Sequence, residues 1–249
     1  MERWTALADR LLAPASARFG DDAHLLEYAV LSAVGVVDAT DLVALCRCTP
    51  ATAKVLTRLL LDPRRRHAVH CLVVAARCVP EPLLRPMLLA AAQTVNPSLN
   101  RKFVQPCTVA FGRRRVVTTL LSIATDQPPS NRAGAVNALY WAWAPRESVS
   151  WTDATAAVAP GPPDEPVADL RAAFLTWAAR EFVENSNLDV QRALVSSLVY
   201  ARRHEPALAE LAIAAGRAHA DPYIRQRLAA DLGESRLIPC LPTRSAGTS

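Results

Sequence analysis

The stretch Asn187-Leu-Asp-Val190-Gln-Arg-Ala-Leu194-Val-Ser-Ser-Leu198 aligns without a gap on Asp221-Pro-Tyr-Ile224-Arg-Gln-Arg-Leu228-Ala-Ala-Asp-Leu232, 34 residues further along the chain. Each copy sets a polar residue ahead of apolar residues at +3, +7 and +11. That spacing is one stripe of a helix with 3.6 residues per turn. Asn or Asp just before the stripe is a start signal, because its side-chain oxygen can accept an otherwise orphaned N–H of the first turn. Asp62-Pro63 followed by Val69 and Val73 repeats the cap and the +7 and +11 positions, with Arg65 in the +3 place. Pro129-Ser-Asn-Arg132 with Val136 and Tyr140 is a weaker fourth copy.

Outward from these copies, helical periodicity runs through nearly the whole chain and strand alternation is almost absent. The pattern predicts helices over 4–12, 24–36, 40–46, 51–61, 64–77, 81–94, 99–110, 113–124, 132–143, 167–185, 190–202, 206–219 and 222–232. Short connections rich in Pro, Asp and Asn favour antiparallel neighbours. One helix pair cannot hide its apolar stripe, whereas stacked pairs bury a continuous core.

Composition agrees. Only 8 of 249 residues are glycine, which disfavours tight-turned β folds and nucleotide-cradling α/β folds. Ala and Leu dominate, and both are strong helix formers. The 19 prolines then belong between helices or in their first turns.

The segment from Ala144 to Pro166 interrupts the pattern with five prolines and several acids. It reads either as a loop or as a seam between two stacks. The expected organisation is therefore N-terminal helical repeats over 1–143, this Pro-rich segment over 144–166, C-terminal repeats over 167–234 and a flexible tail over 235–249.

Asp221-Pro-x-Ile-Arg followed by Leu-Ala-Ala-x-Leu-Gly is similar to the second helix of a HEAT repeat. The 187–198 and 62–73 copies look like looser versions. The resemblance implies an all-α fold, a right-handed α–α superhelix of antiparallel helix pairs, with second helices lining a concave binding face.

No run of 18 apolar residues occurs, and Met1-Glu2-Arg3-Trp4 lacks a signal-peptide layout, so a cytoplasmic protein without a membrane partner is expected. In that compartment Cys46, Cys48, Cys71, Cys78, Cys107 and Cys240 should be reduced thiols.

Signatures of nucleotide binding, of a serine nucleophile, of kinases and of zincins are absent. His67-Ala-Val-His70-Cys71 with Cys78 shares one helical face and could in geometry hold a metal. Its apolar neighbours Val69, Leu72 and Val73 favour a core role instead, and Cys46-Arg-Cys48 reads as structural. Neither a metal nor a cofactor is expected.

Some HEAT-like solenoids are alkylpurine DNA glycosylases with Trp residues and an Asp in a basic groove. Trp151-Thr-Asp153 after Tyr140-Trp141-Ala-Trp143 resembles that arrangement slightly. By this resemblance Trp151 and Asp153 would be the catalytic pair, Asp153 stabilising a cationic sugar. The competing reading makes Trp141 and Trp143 packing residues and Asp153 a helix cap.

Positive charge comes almost wholly from arginine: Lys54 and Lys102 are the only lysines, and the net charge is +5. Arg64, Arg65, Arg66, Arg113, Arg114 and Arg115 open predicted second helices; Arg132, Arg192, Arg225 and Arg227 fall in the first turns of others. Stacking would align them into a row suited to an acidic protein surface or to nucleic acid. The alternative is that they merely coat the surface and reflect arginine-rich codon usage. The expected function is a non-enzymatic adaptor that binds a partner protein through this face.

Overall fold

The structure, a computed structural model, describes residues 2–19, 37–94, 96–143 and 165–233. Among them the fold is all-helical, with no strand. No helix there is long and apolar enough to cross a membrane. The predicted helix 24–36, most of the 144–166 segment and the tail lie outside the described residues.

The chain forms two compact units, 1–171 and 172–249. The first contains α1 (Glu2–Phe19), α2 (Ala39–Cys46), α3 (Pro50–Leu61), α4 (Arg66–Ala75), a 3-10 turn at Glu81–Leu83, α5 (Leu84–Ala92), α6 (Pro97–Phe111), α7 (Arg113–Asp126) and α8 (Pro129–Trp143). Helix α9 (Ala168–Glu184) begins in the first unit and runs into the second. The second unit continues with α10 (Leu188–Leu194), a 3-10 turn at Val195–Ser197, α11 (Leu198–Ala201), α12 (Pro206–Arg217) and α13 (Pro222–Asp231).

Helix starts follow local chemistry. Thr49, Asn96, Asn187 and Asp221 are N-caps whose side chains accept first-turn N–H groups. Pro50, Pro97 and Pro222 follow at the first position, where a missing N–H costs nothing. Several helices begin earlier than the apolar pattern indicates, among them α1 at Glu2 rather than 4, α6 at Pro97 rather than 99, α8 at Pro129 rather than 132 and α10 at Leu188 rather than 190. The single helix expected over 190–202 is broken by the 3-10 turn holding Ser196 and Ser197, weak helix formers. The 64–77 helix starts only at Arg66, because Asp62 accepts the Arg64 N–H at 2.9 Å and holds residues 62–65 in a turn.

In the first unit α5 is the central helix, packed against α3, α6, α7 and α8. Met87, Leu88, Ala90 and Ala91 are fully buried there, as are Leu60, Phe103, Leu120 and Leu139 of its neighbours. Gly134 of α8 lies directly on the end of α5: a methyl group at its Cα would overlap the Ala92 carbonyl. Gly112, at φ 78, takes the left-handed turn that lets α7 follow α6 immediately.

In the second unit the two aligned copies lie against each other, α13 packing on α10 and on the 195–197 turn. Val190, Leu194, Leu198, Ile224 and Leu228, five of the six stripe positions that the alignment marks, are fully buried, and Leu232, the sixth, is half-buried. In the weaker 129–140 copy, Val136 is buried but Tyr140 is 70% exposed. The buried arc of α8 is centred on Ala135, Ala138, Leu139 and Ala142 instead.

One expectation is overturned. Cys46 and Cys78 form a disulfide that ties the end of α2 to the turn after α4. Sequence reasoning had every cysteine reduced; spacing alone could not show that these two meet across 32 positions. Cys48, Cys71 and Cys107 are free thiols, and Cys240 lies outside the described residues.

Candidate interaction surface

The arginines singled out by sequence occupy very different environments. Arg64 is exposed. Arg65 makes a two-pronged contact with Asp9 of α1, at 2.7 and 3.2 Å, and reaches Asp62 at 3.2 Å. Arg66 is buried: it donates to the Ala90 carbonyl at 3.2 Å and to Thr94 Oγ1 at 3.1 Å. A guanidinium at the carboxyl end of α5 meets the negative end of that helix's dipole. Burial pulls the Arg66 pKa down, and Asp62 partly opposes this.

Arg113, Arg114 and Arg115 open α7, yet they too diverge. Arg113 is half-buried. Arg114 clamps Asp169 with two bonds of 2.9 and 2.7 Å and donates to the Pro166 carbonyl at 2.9 Å. The Arg114 hydrogen bond holds the Asp169 carboxyl near 2, below its usual range. Arg115 pairs with Glu81 and lies 5.3 Å from the centre of the Phe111 ring. Arg132 donates from Nε to the Gln127 carbonyl at 2.8 Å. Their common theme is joining one helix to another or closing a helix end.

The second unit holds three of the candidates, Arg192, Arg225 and Arg227. Arg192 pairs with Asp221 at 2.7 Å and lies 5.9 Å over the Tyr223 ring. Its side chain stays 43% exposed, and Tyr223 is 50% exposed. Leu188, one turn before Arg192, is exposed as well. Arg225 donates to the carbonyls of His219 and Ala220, the latter at 2.7 Å. Arg227 reaches Ser196 Oγ at 2.8 Å and Asp231 at 3.1 Å. The result is a ledge in which Leu188, Arg192 and Tyr223 are exposed and the Asp221 carboxylate holds Arg192. Sequence reasoning missed the parts of Tyr223 and Leu188. The signal available was a Tyr two positions after the cap residue that Arg192 holds.

Comparison with protein-family models, with curated proteins and with solved structures gave no match. The chain's own chemistry carries the reading.

His67 and His70 flank the buried Phe103 ring of α6, at 5.6 and 5.8 Å between centroids. Burial, aided by His67, pulls the His70 imidazole down to about 3, and burial pushes the Cys71 thiol up to about 12. With Cys78 in the disulfide, these residues do not gather into a ligand set; no group of three or more His, Cys, Asp or Glu among the described residues could hold a metal ion. Trp151 and Asp153 lie outside the described residues. Of the aromatic run before them, Tyr140 packs edge-on against Trp141 at 5.0 Å, and Arg101 sits 5.4 Å over the Trp141 ring.

Proposed function

We propose that this chain is a non-enzymatic adaptor, built from helix pairs stacked as a HEAT-like right-handed superhelix, that binds a partner protein with an acidic surface. Support for the repeat comes from the second unit, where helices in equivalent positions of the 34-residue alignment pack against each other with matching caps.

The observation that carries the binding role is the Arg192–Tyr223 pair. Arginine and tyrosine contribute disproportionately to protein interfaces, since each offers a broad apolar face with a polar end. Here both are exposed, with Arg192 held by Asp221 and lying over the Tyr223 ring. Side chains ordered in advance lose less entropy on binding. Arg225, which donates to the carbonyls of His219 and Ala220, adds positive charge beside the ledge, suiting a carboxylate-bearing partner.

A protein partner is favoured over nucleic acid because the exposed apolar side chain of Leu188 adds to the Arg192–Tyr223 pair a surface that a phosphate backbone would not use.

Titration of a labelled DNA duplex from about 50 to about 200 mM salt tests the choice. The adaptor reading predicts no appreciable binding at the upper salt. Tight binding with a steep salt slope would replace it with the nucleic-acid reading.

A further inference from the structure

Helix α4 ends on a left-handed turn of the kind glycine usually supplies. The Cys78 N–H donates to the Val73 carbonyl at 3.3 Å and the Arg77 N–H to that of Val74 at 3.0 Å. These are the paired bonds that close a helix through a left-handed residue. That residue is Arg77, at φ 53, and among the described residues no other non-glycine has a positive φ. A Cβ crowds the backbone there, so an L residue takes this conformation at an energetic cost. After α13 a glycine, Gly233 at φ 72, holds the corresponding place.

Arg77 is followed by Cys78, and the bond to Cys46 fixes Cys78 against the end of α2. Cys46 Sγ also lies 3.6 Å from the carbonyl oxygen of Ala76, in the same turn. A strained residue persists where its surroundings over-determine it, and the bridge is such a restraint. The two bridged cysteines are unequal: Cys46 is exposed and Cys78 is half-buried. Access helps decide which sulfur a thiolate attacks, and Cys46 is open to attack without unfolding. Cys71 and Cys107, by contrast, are wholly buried. Burial pushes both of their thiols up, that of Cys71 to about 12.

We propose that Cys46–Cys78 is a redox-operated clasp, opened by a dithiol in the folded protein, that frees α2 from the end of α4 and lets Arg77 leave the left-handed region. One thiolate of the reductant attacks Cys46 Sγ and forms a mixed disulfide. The S–S electron pair leaves on Cys78 Sγ, which takes a proton. The second thiol of the reductant loses its proton and displaces Cys46 as a thiolate, which is protonated in turn. Two electrons pass to the cysteine pair, and the dithiol becomes a disulfide. Once freed, α2 keeps the buried Leu45 and the Arg3–Asp41 pair as anchors, while its last residue loses the covalent tie.

The test treats the full chain with dithiothreitol at about pH 8, without denaturant, and applies pulses of iodoacetamide for mass mapping. Cys46 and Cys78 should be alkylated about tenfold or more faster than Cys71 and Cys107, whose labelling reports global opening. Amide exchange of the reduced chain should rise about fivefold over residues 39–47 and 75–78 and stay unchanged over 97–111. In a buffer of oxidised and reduced dithiothreitol, Arg77→Gly should shift the equilibrium about fivefold toward the bridged form, because glycine takes the left-handed turn without that cost. Three results would each overturn the clasp. They are labelling of Cys46 and Cys78 only in step with Cys71 and Cys107, unchanged exchange over 39–47 after reduction, and an Arg77→Gly chain that reduces as readily as the parent.

Discussion

The carboxylate of Asp221 does two jobs: one oxygen accepts the Ile224 N–H at 3.1 Å, and the other holds Arg192 at 2.7 Å. A single side chain starts α13 and fixes an arginine of α10. The Arg192 hydrogen bond lowers the Asp221 pKa. A carboxyl lowered in the folded state contributes stability above its unfolded value, lost as pH falls through the folded one. Asp221→Asn should keep the cap and lower the melting temperature slightly; Asp221→Ala should lower it further. Equal melting of both variants and the parent would show that neither bond contributes.

Gly134 is required where α8 meets α5. Alanine is ordinarily the better helix former, by about 1 kcal/mol. At this position the added methyl would collide with the Ala92 carbonyl, which is backbone and cannot rotate away. Gly134→Ala should destabilise the protein by about 3 kcal/mol, read as a shift of the denaturant midpoint. A stabilised variant would mean that α8 does not approach α5 so closely.

Cutting the Cys46–Cys78 bridge should weaken the first unit. Closing a loop of 32 positions restricts the unfolded chain by about 3–4 kcal/mol in the chain-entropy treatment. Cys46→Ser and mild reduction should lower stability alike. A parent protein indifferent to reductant, with free thiols by mass, would contradict the bridge.

Acid should act through His70. Its folded-state value near 3 follows first from burial and then from His67, whereas the unfolded ring takes a proton below about 6.5. Unfolding is then favoured by about 1.4 kcal/mol for each pH unit below that point, until about 3. His70→Leu should flatten the pH dependence of urea unfolding between those limits. An unchanged slope would place the sensitive group elsewhere.

The sequence made the helices and the main stripes legible because burial of Val190, Leu194, Ile224 and Leu228 follows directly from a period of 3.6. The caps Asn187 and Asp221 were equally plain, since their bonds are local. Long-range pairings were not. Arg65 meets Asp9 across 56 positions and Arg114 meets Asp169 across 55, and nothing in local spacing says which carboxylate a guanidinium will find. The same holds for Cys46 and Cys78. Tyr140 was misplaced for a related reason: the small residues around Gly134 set which side of α8 faces the core.

The claim that matters most is that the Arg192–Tyr223 ledge receives a protein. A photo-crosslinking residue placed at Tyr223 in the native cell, with a control at exposed Arg203, reads it directly. A discrete protein adduct at Tyr223, missing at Arg203 and lost with Arg192→Ala, is the predicted result. An empty lane at Tyr223, or an adduct to nucleic acid there, would contradict it.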